Sequence, residues 1–324
     1  MKKIHTLSII IFLALISFIS LNENAFALTV SPAKLEIASD PGTTLSGVIK
    51  LYNERDTQQT FYTSFENFEP SDDSGKPRFV GNNDGLATWV SVQKSVTLSP
   101  KQHLEVPFDI QIPAGVEPGG YFSAIFFGTQ QPDLQGGSLS IGGRIGVLTL
   151  LRVNGDIPEE GGLLDYKTTD GTFFYDMPPV SLEYRFSNDG GDRVSPKGDV
   201  EFKNTFGTVR ATINANPQEG SILPSSARRF NLVWGAEKPQ GFFNKVSAQW
   251  NNFHIGWYSA QLNLGWGFTN QTTSESLSIL IVPWQLLMVL IAAFIVLRFA
   301  LKFAGKRYKA NLLKEIEKNK STEE

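Results

Sequence analysis

The chain has 324 residues, with 29 lysines and arginines against 32 aspartates and glutamates, and it contains no cysteine. The lack of cysteine excludes disulfides, thiolate metal sites and cysteine nucleophiles. Residues 28–278, between two apolar ends, carry 19 basic and 27 acidic side chains, a net charge of 19 − 27 = −8. Nucleic-acid binding normally requires a basic surface, so no nucleic-acid partner is expected.

The first predicted element is a secretory signal peptide over residues 1–27. A basic start at Lys2 and Lys3 precedes an apolar run, and an Ala-x-Ala sequence ends at Ala27. This order is typical of a cleaved export signal. A permanent N-terminal anchor is the alternative, but the apolar run is short for a membrane span.

The next segment predicts an all-β fold of two tandem Ig-like β-sandwich domains, over residues 28–155 and 164–270. Leu104, Val106, Phe108 and Ile110 alternate with polar residues, as in a strand buried on one face. Turn sequences such as Asp40-Pro41-Gly42 separate such runs. Many short strands punctuated in this way favour antiparallel sandwiches.

A weak internal repeat supports two similar domains. The sequence at 120–124, GYFSA, returns at 256–260 as GWYSA, and the strand end at Asn53 has a counterpart at Asn188. The offsets, 256 − 120 = 136 and 188 − 53 = 135, are nearly equal. Chance similarity among strand-forming residues is the alternative. Residues 156–163, rich in glycine, proline and acid, are predicted to be the interdomain linker.

The C-terminal part predicts a polar stalk over residues 271–278, one transmembrane helix over residues 279–301 and a basic tail over residues 302–324. A run of about 20 apolar residues is the length that spans a bilayer. Basic residues beside such a span mark the cytoplasmic side. The sequence therefore predicts a single-pass protein of the cell membrane, with the N-terminal part outside and the C-terminal tail in the cytoplasm.

The order of these elements, with Ser31-Pro32-Ala33-Lys34-Leu35-Glu36 opening the first domain and Asn188-Asp189-Gly190-Gly191 in the second, resembles the WxL-interacting proteins of bacterial cell surfaces. The resemblance implies a first domain that binds peptidoglycan and a second that binds another surface protein. The predicted function is thus non-covalent engagement of cell-wall polymer or a surface protein by a membrane-anchored protein. The alternative is a structural or assembly accessory that pairs a partner strand by β-augmentation.

Catalysis is not expected. Beyond the signal peptide the chain has two histidines, His103 and His254, and the sequence contains no G-x-S-x-G serine elbow and no phosphate-binding loop. No metal or other cofactor is predicted. Calcium at acidic turns such as Asp72-Asp73 stays open, although aspartate and asparagine are also ordinary turn residues. The ligand and the oligomeric state are not determined by these patterns.

Aromatic residues supply the remaining candidates for a site. Their period-two placement favours burial in the sandwiches, but Phe126-Phe127 places adjacent rings on opposite faces of one strand. Tyr121 and Trp257 begin strands, next to the loop ends where sandwiches bind ligands. The predicted ligand-binding residues are therefore Gly119, Gly120, Tyr121 and Trp257.

Overall fold

The structure, a computed structural model, describes residues 28–131 and 143–320, with side chains described to residue 309 and at residue 311. The predicted signal peptide and the last four residues of the predicted tail lie outside the described residues. The chain divides into two compact units. The first comprises Met1–Ser71 and Pro77–Pro158, and the second Asp72–Lys76 and Glu159–Glu324. Both are mostly β.

The described part of the first unit consists of ten strands and one short helix. The strands are β1 (Leu28–Ser31), β2 (Lys34–Ser39), β3 (Thr44–Asn53), β4 (Gln59–Pro70), β5 (Pro77–Gly81), β6 (Val90–Val92), β7 (Ser95–Leu98), β8 (His103–Gln111), β9 (Gly119–Gly128) and β10 (Arg144–Val153), and the helix is α1 (Gly85–Trp89). They form one sheet in the order β1-β3-β8-β6 and another in the order β2-β10-β9-β4-β5, with β7 also paired to β4.

The two sheets of the first unit enclose one apolar core. Val106, Phe108 and Ile110 of β8 are buried while the residues between them are exposed, as their alternation predicts. They share a cluster with Ile125 and Phe127 of β9, in the other sheet. Two sheets packed on a common core is the arrangement of a β-sandwich.

The described part of the second unit consists of eight strands and two helices. The strands are β11 (Gly161–Thr168), β12 (Phe174–Tyr175), β13 (Val180–Asn188), β14 (Lys197–Asn204), β15 (Val209–Asn214), β16 (Ser226–Trp234), β17 (Gly256–Trp266) and β18 (Gln271–Ile281). The helices are α2 (Phe242–Asn251) and α3 (Trp284–Lys320). The sheet orders are β11-β13-β16 and β12-β18-β17-β14-β15.

The core of the second unit also joins its two sheets. Leu182, Tyr184 and Phe186 of β13 pack in one cluster with Phe202 of β14 and Leu262 of β17. The Tyr184 hydroxyl donates a hydrogen bond to the carbonyl of Ala215 (3.0 Å), which satisfies the polar atom of a fully buried ring. This unit is therefore a second pair of packed sheets.

Helix α3 is long and apolar enough to cross a membrane. The candidate span is Trp284–Lys309, with a mean hydropathy of 2.4 over its most apolar window, and almost all of that window is exposed. Its first turn packs on the rest of the second unit, where Gln285 and Leu286 are both 2 % exposed. A helix of this length and composition is consistent with a single-pass membrane anchor.

Two of the predicted C-terminal boundaries are wrong. Residues 271–278, expected as a stalk, belong to β18, and Ile279–Ile281, expected in the membrane helix, end the same strand. The first part of β18 pairs with β17 on one side and has no hydrogen-bonded strand on the other, because β12 pairs only with Leu280 and Ile281. The helix begins at Trp284 and continues to Lys320, into the segment expected as a tail.

Two local features also differ from the sequence expectation. Helix α2 was not anticipated, because its exposed face carries aromatic residues and its pattern is not that of an ordinary amphipathic helix. The last part of the expected linker, from Gly161, already belongs to β11.

Candidate functional site

The predicted site residues of the first unit lie in a sheet. Gly119 and Gly120 pair with Val153 and Arg152 in the β9–β10 ladder, so they are not loop residues. The ring of Tyr121 lies 4.7 Å, centroid to centroid, from that of Trp89, and its hydroxyl donates to the carbonyl of Glu117 (2.9 Å). Burial, with a smaller effect of Glu117, raises the pKa of Tyr121. Both the ring and the hydroxyl of Tyr121 therefore contact residues of the first unit.

The adjacent phenylalanines of β9 have different surroundings. Phe127 is fully buried in the core, while Phe126, on the opposite face, is only 6 % exposed. The guanidinium carbon of Arg144 lies 3.9 Å from the centroid of Phe126, and Phe79 packs edge-on at 4.9 Å. Arg144 is in turn paired with Glu66. The ring on the outer face is thus covered, and it does not present an open patch.

Trp257, the predicted site residue of the second unit, is half exposed. Its ring lies nearly parallel to that of Phe173, with 6.3 Å between centroids, and the hydroxyl of Thr205 donates to its carbonyl (3.1 Å). Trp257 and the Gly119–Tyr121 segment belong to different units. The predicted site residues therefore fall into two groups, one in each unit.

The structure also exposes aromatic residues of the second unit that the predicted site did not include. Phe173 is 59 % exposed and Phe206, in the turn between β14 and β15, is 89 % exposed. Helix α2 exposes Phe243 and Trp250. The name aromatic surface is used below for these five residues, Phe173, Phe206, Phe243, Trp250 and Trp257. The available sequence signal was the concentration of aromatic residues in 242–257, for which burial was the favoured interpretation and exposure the alternative.

A polar cluster centred on Asp176 holds α2 against the start of α3. The Asp176 carboxylate accepts hydrogen bonds from Lys238 (2.8 Å) and Gln285 (3.0 Å), and Lys245 lies 3.4 Å away. Gln249 of α2 donates to the side-chain oxygen of Gln285 (2.5 Å) and accepts from the backbone N–H of Leu286 (2.9 Å). The cluster therefore joins helix α2 to the first turn of the membrane-length helix.

The pKa of Asp176 reflects this cluster. Burial by itself raises the pKa of the carboxyl, but the hydrogen bonds from Lys238 and Gln285 and the charges of Lys238 and Lys245 outweigh it. The net effect lowers the pKa of Asp176 to about 2. Asp176 is thus a carboxylate at any ordinary pH, and it serves to fix its neighbours in place.

Both histidines beyond the predicted signal peptide pack against aromatic rings. His103 stacks on Tyr52 with 4.1 Å between ring centroids. His254 lies against Trp234, and its Nδ1 is 3.0 Å from the hydroxyl of Tyr258. Burial, assisted by the charge of Arg210, lowers the pKa of His254. Within the described residues, no group of three or more His, Cys, Asp or Glu side chains is placed to hold a metal ion.

Strand β15 is an open edge of the second unit. It pairs with β14 on one side, and it is the last strand of its sheet. Ala211 and Ile213 point inward but are only partly buried against the core. An added strand would therefore complete both the hydrogen-bond ladder and the cover over these side chains.

Two further edges are open, namely β2, with six residues, and the part of β18 before Leu280, while the remaining edges are shorter or protected. Strands β1, β6 and β12 have four, three and two residues. Strand β5 begins with Pro77, β11 has a register shift between Leu163 and Asp165, and β16 carries the adjacent Arg228 and Arg229. Short strands, prolines, bulges and charges all discourage pairing with another chain.

Comparison with known proteins gives structural likenesses only. No family model and no curated protein match the sequence. The class 5 fimbriae chaperone CfaA aligns with a TM-score of 0.37 at 14 % identity, over 79 % of this chain and 99 % of that one. The E. coli chaperone DraB aligns with a TM-score of 0.34 at 11 % identity, over 78 % and 97 %. Because both TM-scores are below 0.5, no functional statement rests on them.

Proposed function

We propose that this chain is a membrane-anchored surface protein of the WxL-interacting type, with two tandem Ig-like sandwiches outside the cell and the end of α3 in the cytoplasm. Its function is to bind an extended segment of another surface protein, which adds as a strand to β15. No catalytic step is involved. The observation that carries the proposal is the unprotected edge of β15 with its half-covered inward side chains.

The hydrogen-bonding direction of β15 defines where a partner would bind. The backbone N–H of Ala215, just after the strand, donates to the carbonyl of Gly198 (3.0 Å) on the side of β14. Because donors alternate along an antiparallel strand, the N–H groups of Thr212 and Asn214 point away from β14. A partner strand would therefore accept from Thr212 and Asn214.

The test uses a proline at position 212 in the full-length protein in detergent. Thr212→Pro removes one outward donor without removing a bond to β14, and Thr212→Val is the matched control that keeps the N–H. Each variant is incubated with a detergent extract of envelope proteins and, separately, with isolated cell walls. We expect one protein to be captured stoichiometrically by the native chain and the Val variant, with at least tenfold less captured by the Pro variant.

Hydrogen exchange on the captured complex gives a second measurement. The amides of Thr212 and Asn214 should gain protection in the complex, while a partner bound elsewhere would leave them unchanged. Equal capture by the Pro and Val variants, with both folded by circular dichroism, would rule out strand addition at β15.

Wall binding by the first domain stays a prediction, and the same experiment contains its test. Retention of the native chain on isolated walls, lost in Tyr121→Ala but kept in Thr212→Pro, would assign the function to the Gly119–Tyr121 segment. That outcome would replace the strand-addition proposal.

A further inference from the structure

Exposed apolar side chains of the second unit concentrate around the start of α3. Besides the five residues of the aromatic surface, they include Phe174, Val209, Phe242, Phe253 and Ile255. Among the described residues of this unit before α3, the other large apolar side chains that are exposed are Leu164, Val233 and Phe268. Soluble proteins rarely expose so many neighbouring apolar groups without a function.

The strand register places these residues at one end of a sheet. Trp257 and Phe174 both pair with Leu280, one residue before the end of β18, and the N–H of Leu280 donates to the carbonyl of Phe173. The turn that carries Phe206 follows Asn204, which pairs with Tyr258. Since α3 begins three residues after β18 ends, Phe173, Phe206 and Trp257 lie at the end of the sheet from which the helix starts.

Helix α2 exposes aromatic side chains and buries a polar one. Phe243 and Trp250 are seven residues apart and therefore lie on one face of the helix, where they are 79 % and 65 % exposed. Gln249 precedes Trp250 and so lies about 100° around the helix from it. It is 1 % exposed and bound to Gln285 and Leu286. A helix that buries its amide and exposes its aromatic rings is suited to an apolar or interfacial surrounding.

The length of the apolar part of α3 indicates where this surface lies relative to the boundary of a bilayer. From Trp284 to Leu301 the helix contains 18 residues, about 27 Å of rise, with Arg298 near the far end as its charged residue. This is close to the thickness of a bilayer core, about 30 Å. Lys302 and Lys306 follow at the other end. A bilayer matched to this segment would therefore have its outer boundary at Trp284, where the ring of Phe242 lies 6.3 Å from the indole.

We propose that the aromatic surface is a lipid-binding surface that seats the second unit on the outer headgroup region of the membrane. Aromatic rings are favoured at that level of a bilayer. The proposal rests on the membrane anchoring by α3 in the proposed function, and it assigns Trp257 to lipid contact. The Asp176 cluster keeps α2 fixed to the first turn of α3, so that the helix and the surface enter the interface together.

The test measures the depth of spin labels in the full-length protein, reconstituted in vesicles of phosphatidylcholine with a minority of phosphatidylglycerol. The native chain has no cysteine, so single cysteines can be labelled specifically. The labelled variants are Phe206→Cys, Phe243→Cys and Trp250→Cys. Phe268→Cys, 69 % exposed in the turn at the other end of β17, is the aqueous control, and Leu290→Cys within α3 is the lipid control.

The readout is the accessibility of each label to oxygen, which partitions into lipid, relative to a water-soluble nickel chelate. We expect a severalfold higher ratio at positions 206, 243 and 250 than at position 268. If the ratio at positions 206, 243 and 250 is as low as at position 268, while the ratio at Leu290→Cys is high, the inference is overturned and the membrane anchor stands. An aqueous value at Leu290→Cys would instead show that the anchor itself is wrong.

Low accessibility to both reagents at positions 243 and 250 would also overturn the proposal, because the surface would then be covered by protein. Repeating the measurement with the protein diluted in excess lipid separates a second copy from a firmly bound partner.

Discussion

Two buried asparagines occupy equivalent corners of the two units. The side-chain amide of Asn53 donates to the carbonyls of Thr57 (2.9 Å) and Ser99 (3.0 Å), and its oxygen accepts from the N–H of Arg55 (3.1 Å). Asn188 repeats this pattern at the end of β13. Its amide donates to the carbonyl four residues later, at Asp192 (2.7 Å), and its oxygen accepts from the N–H two residues later, at Gly190 (3.1 Å). The weak sequence repeat thus coincides with a repeated hydrogen-bonding arrangement.

Replacing Asn53 should destabilise the first unit. Asn53→Ala leaves buried carbonyls without a donor, and each such loss costs about 1–3 kcal/mol. Asn53→Asp should be worse, since it also buries a charge. Chemical denaturation of the full chain in detergent measures the change, with the exposed Asn83→Ala as control, expected within about 0.5 kcal/mol of the native chain. A loss at Asn53→Ala no larger than at Asn83→Ala would contradict this role.

At the scale of secondary-structure elements, the junction of α2 with α3 depends on few contacts. Helix α2 has ten residues, too short to be stable alone, so its tertiary contacts hold it in place. The polar part of these contacts comes from Asp176, Gln249 and Gln285. In addition, the backbone N–H of Leu286, in the first turn of α3, donates a hydrogen bond to Gln249. Loss of the Asp176 charge should therefore release α2 before it affects the sheets.

The attachment of α2 should weaken in acid. The pKa of Asp176 is lowered in the folded state to about 2, from an ordinary value of 3.8. Its contribution to stability is therefore present above the ordinary value and is lost as the pH falls from about 5 towards 2. Hydrogen exchange of the α2 amides, corrected for intrinsic rates, should accelerate over this range in the native chain.

Asp176→Asn should show fast exchange of α2 at neutral pH and no further acid dependence from this group. Asp165→Asn, which removes an exposed carboxylate paired with Lys167, is the control and should leave α2 protected. Slow exchange of α2 in Asp176→Asn at neutral pH would show that apolar contacts alone hold the helix.

At the scale of the whole molecule, the charge distribution predicts the orientation in the membrane. The basic residues near the end of the candidate span, Lys302, Lys306 and Arg307, belong on the cytoplasmic side. Single cysteines test this, since none is present in the native chain. In intact cells, a membrane-impermeant maleimide should label Phe268→Cys, and it should label Tyr308→Cys only after permeabilisation. The reverse pattern would place the tail outside.

The strands and the apolar helix were predictable because both are local patterns. The alternation in β8 and the apolar run of α3 are properties of neighbouring residues, and each imposes its own backbone geometry. The stalk prediction failed because a polar sequence can also form the open side of a sheet, as in the first part of β18. Local polarity does not report whether a strand has one neighbour or two.

The burial of the aromatic residues was decided by the tertiary structure. Trp266 is 8 % exposed because it packs on Phe186 from another sheet, while Phe268, two residues later, is 69 % exposed in a turn. Trp257 and Phe173 are brought together from positions 84 residues apart (257 − 173). The sequence by itself determined the β architecture and the apolar C-terminal helix. Which rings stay exposed, and which strand edge stays open, depends on long-range pairing that no local pattern contains.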